Sequence, residues 1–187
     1  MNESAGRCQI LFVLGPSGAG KSTFAEHLAI ERQWLHFEID QFPNGDGIDI
    51  HGLRGVWNSL YDDKNPVALA EELRSRTVGQ KKIGCVLSFP SGLVLLPTHI
   101  QAASAASIKV IYLYGSAAHC INAFLERERN TGRNLSFDHW VANNCAAYLM
   151  MSRPEFGSHR IHVFTPTGVH RSYEDVFAEL FPETKSG

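Results

Sequence analysis

The sequence predicts an α/β fold of three layers, in which helices cover both faces of a five-stranded, mostly parallel sheet. Five apolar runs bounded by Gly, Pro or polar residues predict buried strands, at 8–14, 34–39, 83–89, 108–114 and 160–164. Segments with helical spacing lie between and after these runs, at 22–32, about 49–60, 66–78, 97–106, 117–129, 137–151 and 172–180. Because strands alternate with helices, parallel pairing within one sheet is favoured.

Length and composition indicate a single domain, 1–187, that folds on its own. A chain of 187 residues suits one compact domain, and 44% hydrophobic with 19% charged residues exclude the disordered class. The formal net charge of -2 argues against a broad cationic surface for nucleic acid. We therefore expect no nucleic-acid partner, and we expect any anion to be held locally.

The cysteine spacing and the short apolar runs predict a cytoplasmic protein. Cys8, Cys85, Cys120 and Cys145 form neither a CxxC pair for zinc nor a dense disulfide framework, which fits reduced thiols in a cytosol. The apolar run at 10–14 is far too short for a signal or membrane segment, and no other stretch is expected to span a bilayer. A membrane partner is therefore not expected.

A phosphate-binding loop is the strongest functional signal. The stretch 15–22 satisfies GxxxxGK[ST] in full and lies directly between a predicted strand and a predicted helix. Glycines let the backbone approach phosphate oxygens closely, and the dipole of the following helix favours a bound anion. A Gly-rich turn that matches by chance is the alternative. The residues expected to bind nucleotide here are Gly15, Pro16, Ser17, Gly18, Ala19, Gly20, Lys21, Ser22 and Thr23.

The loop and the second strand supply the expected catalytic and metal-binding side chains. Lys21 would reach the β- and γ-phosphates of ATP, and Ser22 would ligate the Mg²⁺ that bridges them. Asp40 follows the second strand, at the edge where open α/β sheets bind ligands, and suits a base on an acceptor hydroxyl or a ligand of metal-bound water. A turn-capping Asp is the alternative. Glu38 ranks second, because central strands rarely bury two free carboxylates.

Further residues for the acceptor are predicted in an acceptor region at about 40–80. His51, Arg54 and Trp57 recur at three-residue spacing, so they lie along one helix face that could bind a polar acceptor. An amphipathic helix with Trp57 in the core is the alternative. In the third strand, Ser88 takes the place where many phosphate-loop ATPases carry an acid. Its hydroxyl could bind a metal-bound water without supplying charge, which leaves Asp40 as the expected carboxylate near the metal.

An arginine-rich segment follows the fourth predicted strand. Arg127, Arg129 and Arg133 flank Gly132, which provides a hinge for a short lid at about 127–136. A planar guanidinium binds two phosphate oxygens at once, so arginines that close over the nucleotide would neutralise charge on the transferring phosphoryl group. Alternating charge is also typical of a solvated helix face, and for Arg129 that is the first interpretation.

These motifs together resemble the P-loop kinase superfamily, which includes nucleoside monophosphate kinases, shikimate kinase and gluconate kinase. The resemblance covers most of the chain, from the strand, loop and helix at its start to the arginine-rich segment. It implies a three-layer P-loop NTPase fold with a lid and a separate acceptor region. The stretch 125–133 is similar to the start of the lid in uridylate/cytidylate-type kinases, which implies that Arg127 and Arg133 contact phosphates. Thr165 and Thr167 fall in the loop that holds adenine in these kinases.

Departures from the nucleotide kinases bear on the acceptor. Where those kinases place further arginines on the helix after the lid to bind the acceptor phosphate, this chain has Asn143 and Asn144. The stretch 34–40 also resembles the second strand of chloramphenicol phosphotransferase-like enzymes, in which the residue matching Asp40 acts as a base on a hydroxyl. The sequence therefore predicts an ATP- and Mg²⁺-dependent kinase of a small-molecule hydroxyl. The alternatives are a nucleoside monophosphate kinase and a nucleotide-binding switch or weak ATPase.

Overall fold

The computed structural model describes residues 8–39, 53 and 66–182. Its sheet is five-stranded, in the order β2-β3-β1-β4-β5, and every neighbouring pair is parallel. The strands are β1 (Gln9–Leu14), β2 (Trp34–Glu38), β3 (Gly84–Ser88), β4 (Ile108–Tyr114) and β5 (Arg160–His162). All five were predicted from the apolar runs, so the predicted five-stranded parallel sheet is confirmed.

The helices lie where the periodicity places them, to within two residues at each end. They are α1 (Lys21–Glu31), α2 (Val67–Gly79), α3 (Pro97–Ala105), α4 (Ala117–Asn130), α5 (Phe137–Met151) and α6 (Tyr173–Leu180), with a 3₁₀ helix at Pro154–His159. Serine side chains cap three of them: Ser116 at α4, Ser136 at α5 and Ser172 at α6 each accept a bond from a backbone N–H three residues on. The helix predicted at about 49–60 lies outside the described residues, apart from position 53.

The central strand β1 explains why the fold needs three layers. Five of its six residues are buried, and successive side chains point to opposite faces of the sheet. Phe12 belongs to one core with Leu73 of α2, whereas Val13 belongs to the other core with Phe24 of α1. A strand buried on both faces must have helices on both faces, so the three-layer α/β architecture is confirmed.

The fifth strand is shorter than the predicted 160–164. Val163 still donates its N–H to the carbonyl of Tyr114 at 2.9 Å, but Phe164 pairs in antiparallel fashion with His170. The chain therefore folds back on itself after β5, in a turn closed by the N–H of Thr165 on the carbonyl of Val169 at 2.8 Å. Within the described parts of the chain, no helix is long and apolar enough to cross a membrane.

Candidate active site

The loop between β1 and α1 crosses the carboxyl edge of the sheet, between the ends of β3 and β4. At its centre Gly18 adopts a φ of 88°, and a Cβ there would lie 2.0 Å from the carbonyl oxygen of Cys120. Only glycine combines that backbone angle with so close an approach. The loop is thus packed directly against the start of α4.

Helix α5 holds the same loop from the other side. The side-chain Oδ1 of Asn144 accepts the backbone N–H of Ser17 at 2.7 Å, and the indole Nε1 of Trp140 donates to the carbonyl of Ser17 at 3.0 Å. Asn144 in turn donates from Nδ2 to the carbonyl of Trp140 at 2.9 Å. Both polar backbone groups of one loop residue are therefore bound by α5, which connects the loop rigidly to the helix that follows the arginine segment.

Lys21 lies at the first position of α1 with its ammonium directed over the loop. It is 8% exposed, and its Nζ donates to the carbonyl of Pro16 at 3.2 Å and to Oγ of Ser91 at 3.1 Å. Ser91 also accepts a bond from Oγ of Ser17 at 2.8 Å, so it joins the lysine to the loop. Burial raises the pKa of the neighbouring Cys120 thiol to about 12, although the Lys21 charge opposes the rise, so that thiol stays protonated.

A hydroxyl and a carboxylate lie side by side next to this lysine. Ser22 donates from Oγ to Oε1 of Glu38 at 2.6 Å, and Glu38 is the last residue of β2. Hydroxyl and carboxylate oxygens are the hard donors that Mg²⁺ takes, together with waters and substrate phosphates. The residues present therefore fit a magnesium ion. No group of three or more His, Cys, Asp or Glu side chains suited to a metal ion occurs among the described residues.

Two arginines reach the same space from the segment after α4. Arg127 and Arg133 are 50% and 57% exposed, and both guanidinium groups contact Glu128, which is 1% exposed. The Arg127 guanidinium also lies 5.4 Å from the ring centre of Phe124. The last turn of α4 and the turn at Gly132 thus bring both arginines toward the phosphate loop.

These groups enclose one polar cavity of about 360 Å³. Three cationic side chains and one carboxylate line it, which gives a local positive charge on a chain whose formal net charge is -2. A cavity of this charge suits an anion such as a polyphosphate. The lining residues are Ser17, Gly18, Gly20, Lys21, Ser22, Thr23, Glu38, Ser91, Arg127 and Arg133.

Other predicted site residues lie elsewhere. Ser88 is 1% exposed within β3, where its Oγ lies 2.8 Å from Nε2 of His36, and it does not line the cavity. Thr165 and Thr167 lie in the turn after β5, with their hydroxyl oxygens 2.9 Å apart, and they do not line the cavity either. Four predicted residues lie outside the described residues, and their roles stay predictions: Asp40, His51, Arg54 and Trp57.

Three contributors to this site were not predicted from the sequence. Ser91 lies in the turn after β3, and a serine at the carboxyl end of a parallel strand was the available signal. Trp140 and Asn144 are four residues apart on α5, so one helix face can present both to the loop. Their spacing alone does not reveal the loop as their partner, because that contact joins positions more than a hundred residues apart.

Comparison with solved structures decides the type of fold. A gluconokinase from Sinorhizobium meliloti 1021 is 19% identical to this chain, over 94% of this chain and 92% of that one, with a TM-score of 0.53. The chain has the three-layer P-loop NTPase fold. Also similar are a shikimate kinase from Acinetobacter baumannii in complex with shikimate (13% identity, 96% of each chain, TM-score 0.48) and a deoxyadenosine kinase from M. mycoides (15% identity, 94% of this chain and 100% of that one, TM-score 0.47). No protein-family model and no curated protein matches the sequence.

The three-layer P-loop NTPase fold expected from the sequence resemblance is thereby confirmed. In this sheet β2 and β3 lie on one side of the central strand β1, and β4 and β5 lie on the other. The loop after β1 therefore lies where the strand order changes direction. Open α/β sheets bind ligands outside the carboxyl ends of strands at such a point. The polar cavity described above lies there.

Proposed function

We propose that this chain is a phosphotransferase that moves the γ-phosphoryl group of ATP to a hydroxyl of a small molecule, with Mg²⁺. One observation carries the proposal. Five residues of the phosphate loop (Ser17, Gly18, Gly20, Lys21 and Ser22), the Glu38 carboxylate beside Ser22 and two arginines line a single cavity of about 360 Å³. Enzymes that transfer a phosphoryl group use this combination: a loop and lysine on the phosphates, a hydroxyl and carboxylate for magnesium, and arginines on the transferring group.

Each group has a task in the transfer. The loop amides and Lys21 bind the β- and γ-phosphates, and the burial of Lys21 keeps water away from that contact. Ser22 and Glu38 would hold magnesium, which would supply positive charge to offset that of the ATP phosphates. Arg127 and Arg133 line the same cavity and stabilise the charge spread over the transferring phosphoryl group. Transfer then requires only that the acceptor oxygen lie in line.

Helix α5 supports a hydroxyl rather than a phosphate as the acceptor. Asn144 is 1% exposed, and its Oδ1 and Nδ2 bind the phosphate loop and the backbone of α5. Asn143 is exposed, bonds to the carbonyl of His139 and carries no charge. A helix that binds an acceptor phosphate needs cations on that face. We therefore propose an acceptor without its own phosphate, with Asp40, His51, Arg54 and Trp57 as its expected contacts. Ser88 is not among them, because it is buried against His36 and does not line the cavity.

The decisive experiment is an acceptor panel. ADP release is followed with ATP and Mg²⁺ and each member of a panel of hydroxyl-bearing metabolites, antibiotics and nucleoside monophosphates. We expect one class of phosphate-free alcohols to raise ADP release above the rate without acceptor. Turnover of a monophosphate instead identifies a nucleotide kinase, and tight ATP binding with no transfer to any compound identifies a switch.

Lys21→Met tests the phosphate loop within the same assay. Because Lys21 contacts the transferring charge, we expect transfer to fall about 10²-fold or more. Arg129→Gln is the matched control for loss of a cation, since Arg129 is exposed and does not line the cavity. If Lys21→Met keeps wild-type ATP affinity and turnover, the assignment of the loop is wrong.

Asp40→Asn separates the base from the metal ligand. If Asp40 accepts the hydroxyl proton, the variant retains ATP binding and loses about 10²-fold in transfer rate, the usual size of a general-base effect. Glu38→Gln is the comparison, because Glu38 contacts Ser22 and its loss should raise the magnesium concentration needed for half-maximal rate. Full transfer activity in a folded Asp40→Asn protein would exclude the base role.

A further inference from the structure

A buried carboxylate lies beneath the two arginines of the site. Glu128 is 1% exposed, and its Oε1 accepts bonds from Nε and Nη2 of Arg127 at 2.9 and 2.7 Å. Oε2 lies 3.1 Å from Nε of Arg133, and Oε1 lies 3.3 Å from its Nη2. One carboxylate therefore holds both guanidinium groups that line the cavity.

Glu128 lies on the buried face of its helix, where an apolar residue would be expected to give a more stable protein. The buried residues of α4 are Cys120, Phe124 and Glu128, which are spaced four apart along the face that packs on the core. An apolar side chain would bury there without losing favourable hydration, whereas an ionised carboxylate loses its solvation on burial and needs paired charges to offset that loss. The charge at this position therefore points to a role outside packing.

The backbone directs both arginines to the same acid. The N–H of Arg133 bonds to the carbonyl of Glu128 at 3.0 Å, and the N–H of Gly132 bonds to the carbonyl of Arg129 at 3.2 Å. With Gly132 at a φ of 68°, these bonds form the helix-ending turn that reverses the chain direction. The turn brings Arg133 back over the last turn of α4, beside Arg127.

We propose that Glu128 is a positioning residue that fixes the Arg127 and Arg133 guanidinium groups over the phosphate loop, where both receive the γ-phosphate of ATP. The inference rests on the proposed function, because it requires that ATP occupy the cavity. Half-exposed arginine side chains sample many rotamers in water, and ordering them on binding costs free energy. A buried acid that orders both side chains in advance lowers that cost.

The test measures the affinities for Mg·ATP and Mg·ADP by calorimetry, because only ATP carries the γ-phosphate. Glu128→Gln keeps the size of the side chain and removes its charge, and the arginines then lose their fixed positions. We expect its preference for ATP over ADP to fall about tenfold, the size of one charge-assisted hydrogen bond, with ADP affinity within about twofold of wild type. Glu126→Gln, at an exposed position of the same helix, is the matched control and should leave the preference unchanged.

A second pair of variants shows whether Glu128 acts through the arginines. Glu128→Gln in an Arg127→Gln/Arg133→Gln background should produce no additional change in the ATP preference, because nothing remains to be positioned. If Glu128→Gln does not fold, Arg127→Lys/Arg133→Lys carries the test, since Lys keeps the charge and loses the planar fork. That pair should also lower the ATP preference.

Several results would overturn the inference. An unchanged ATP preference in a folded Glu128→Gln protein, or in the lysine pair, excludes positioning. A higher preference means that Glu128 competes with phosphate for the arginines. If the wild-type chain binds neither nucleotide, the proposed function fails together with the inference, whereas wild-type ATP binding with an unaffected Glu128→Gln protein overturns the inference alone.

Discussion

The phosphate loop and the arginine segment lie against the same cavity but are held in different ways. The loop is held by steric contact and backbone hydrogen bonds: Gly18 packs on α4, and Ser17 is bonded at both its N–H and its carbonyl to α5. The arginine segment is held by charge, through the carboxylate of Glu128. The loop should therefore be sensitive to added volume and lost hydrogen bonds, and the arginines to lost charge.

The strongest test of this difference compares one glycine from each region. Gly18 and Gly132 both have positive φ, 88° and 68°, but a Cβ at Gly18 would lie 2.0 Å from a carbonyl oxygen while a Cβ at Gly132 meets nothing within 4 Å. Gly18→Ala adds backbone strain and overpacking, about 2–4 kcal/mol together. Gly132→Ala adds the strain alone, about 1 kcal/mol. Urea unfolding of both variants gives the two free energies.

Equal losses of unfolding free energy in the two alanine variants would contradict the comparison. They would mean that the loop yields to the added methyl group and is not fixed by its packing on α4. Mg·ATP affinity measured in parallel serves as the control on function. Gly18→Ala should lose it with the loop geometry, while Gly132→Ala retains most of it.

The contact between α5 and the loop gives the next largest effect. Asn144→Ala removes the acceptor of the Ser17 N–H and should destabilise the protein by about 2 kcal/mol, because a backbone donor loses its partner. Asn143→Ala is the control, because Asn143 is exposed and one residue away. This substitution raises helix propensity by the same amount but leaves the Ser17 N–H bonded, so it should be neutral or slightly stabilising. Thermal unfolding of the pair measures the difference. If both variants melt together, the Asn144 bond to the loop contributes nothing.

These two regions also show what the sequence could and could not reveal. The loop was predictable because its motif specifies a backbone conformation between a strand and a helix, and the apolar runs place all five strands of the sheet. The arginine pair was predictable from resemblance and position. The alternating charges of the segment favoured a solvated face for Arg129, and Arg129 is exposed.

The contacts that support the site could not be predicted for a common physical reason. Asn144 and Trp140 bind a loop more than a hundred positions earlier in the chain, and no local pattern encodes a partner at that distance. Glu128 was hidden by its neighbours, since a Glu among alternating charges at a helix end suggests solvent exposure. Glu128 lies on the same helix face as Cys120 and Phe124, at four-residue spacing. That spacing predicts burial of Glu128 only when the face is known to pack on the core.

The smallest predicted effect tests burial at a second carboxylate that also lies between two basic side chains. Glu174 of α6 pairs with Arg32 and lies 3.0 Å from Nε2 of His27, but it is 52% exposed. The hydrogen bond from Arg32 is the main reason that the pKa of Glu174 lies below its ordinary value of 4.5. A lowered carboxyl pKa adds stability above the unfolded-state value and loses it as pH falls through the folded-state value.

Glu174→Gln should therefore cost about 0.5 kcal/mol at pH 7, a small loss because water screens an exposed pair. The difference in unfolding free energy between the variant and wild type should shrink as pH falls below 4.5. It should also shrink in 1 M salt, because the Debye length there is only about 3 Å. Urea unfolding at pH 7 and pH 3.5, with and without salt, measures it. If the loss of unfolding free energy persists at low pH, Glu174 stabilises the protein by packing and not by its charge. Glu174 would then not be an exposed counterpart of the charge that Glu128 places under the arginines.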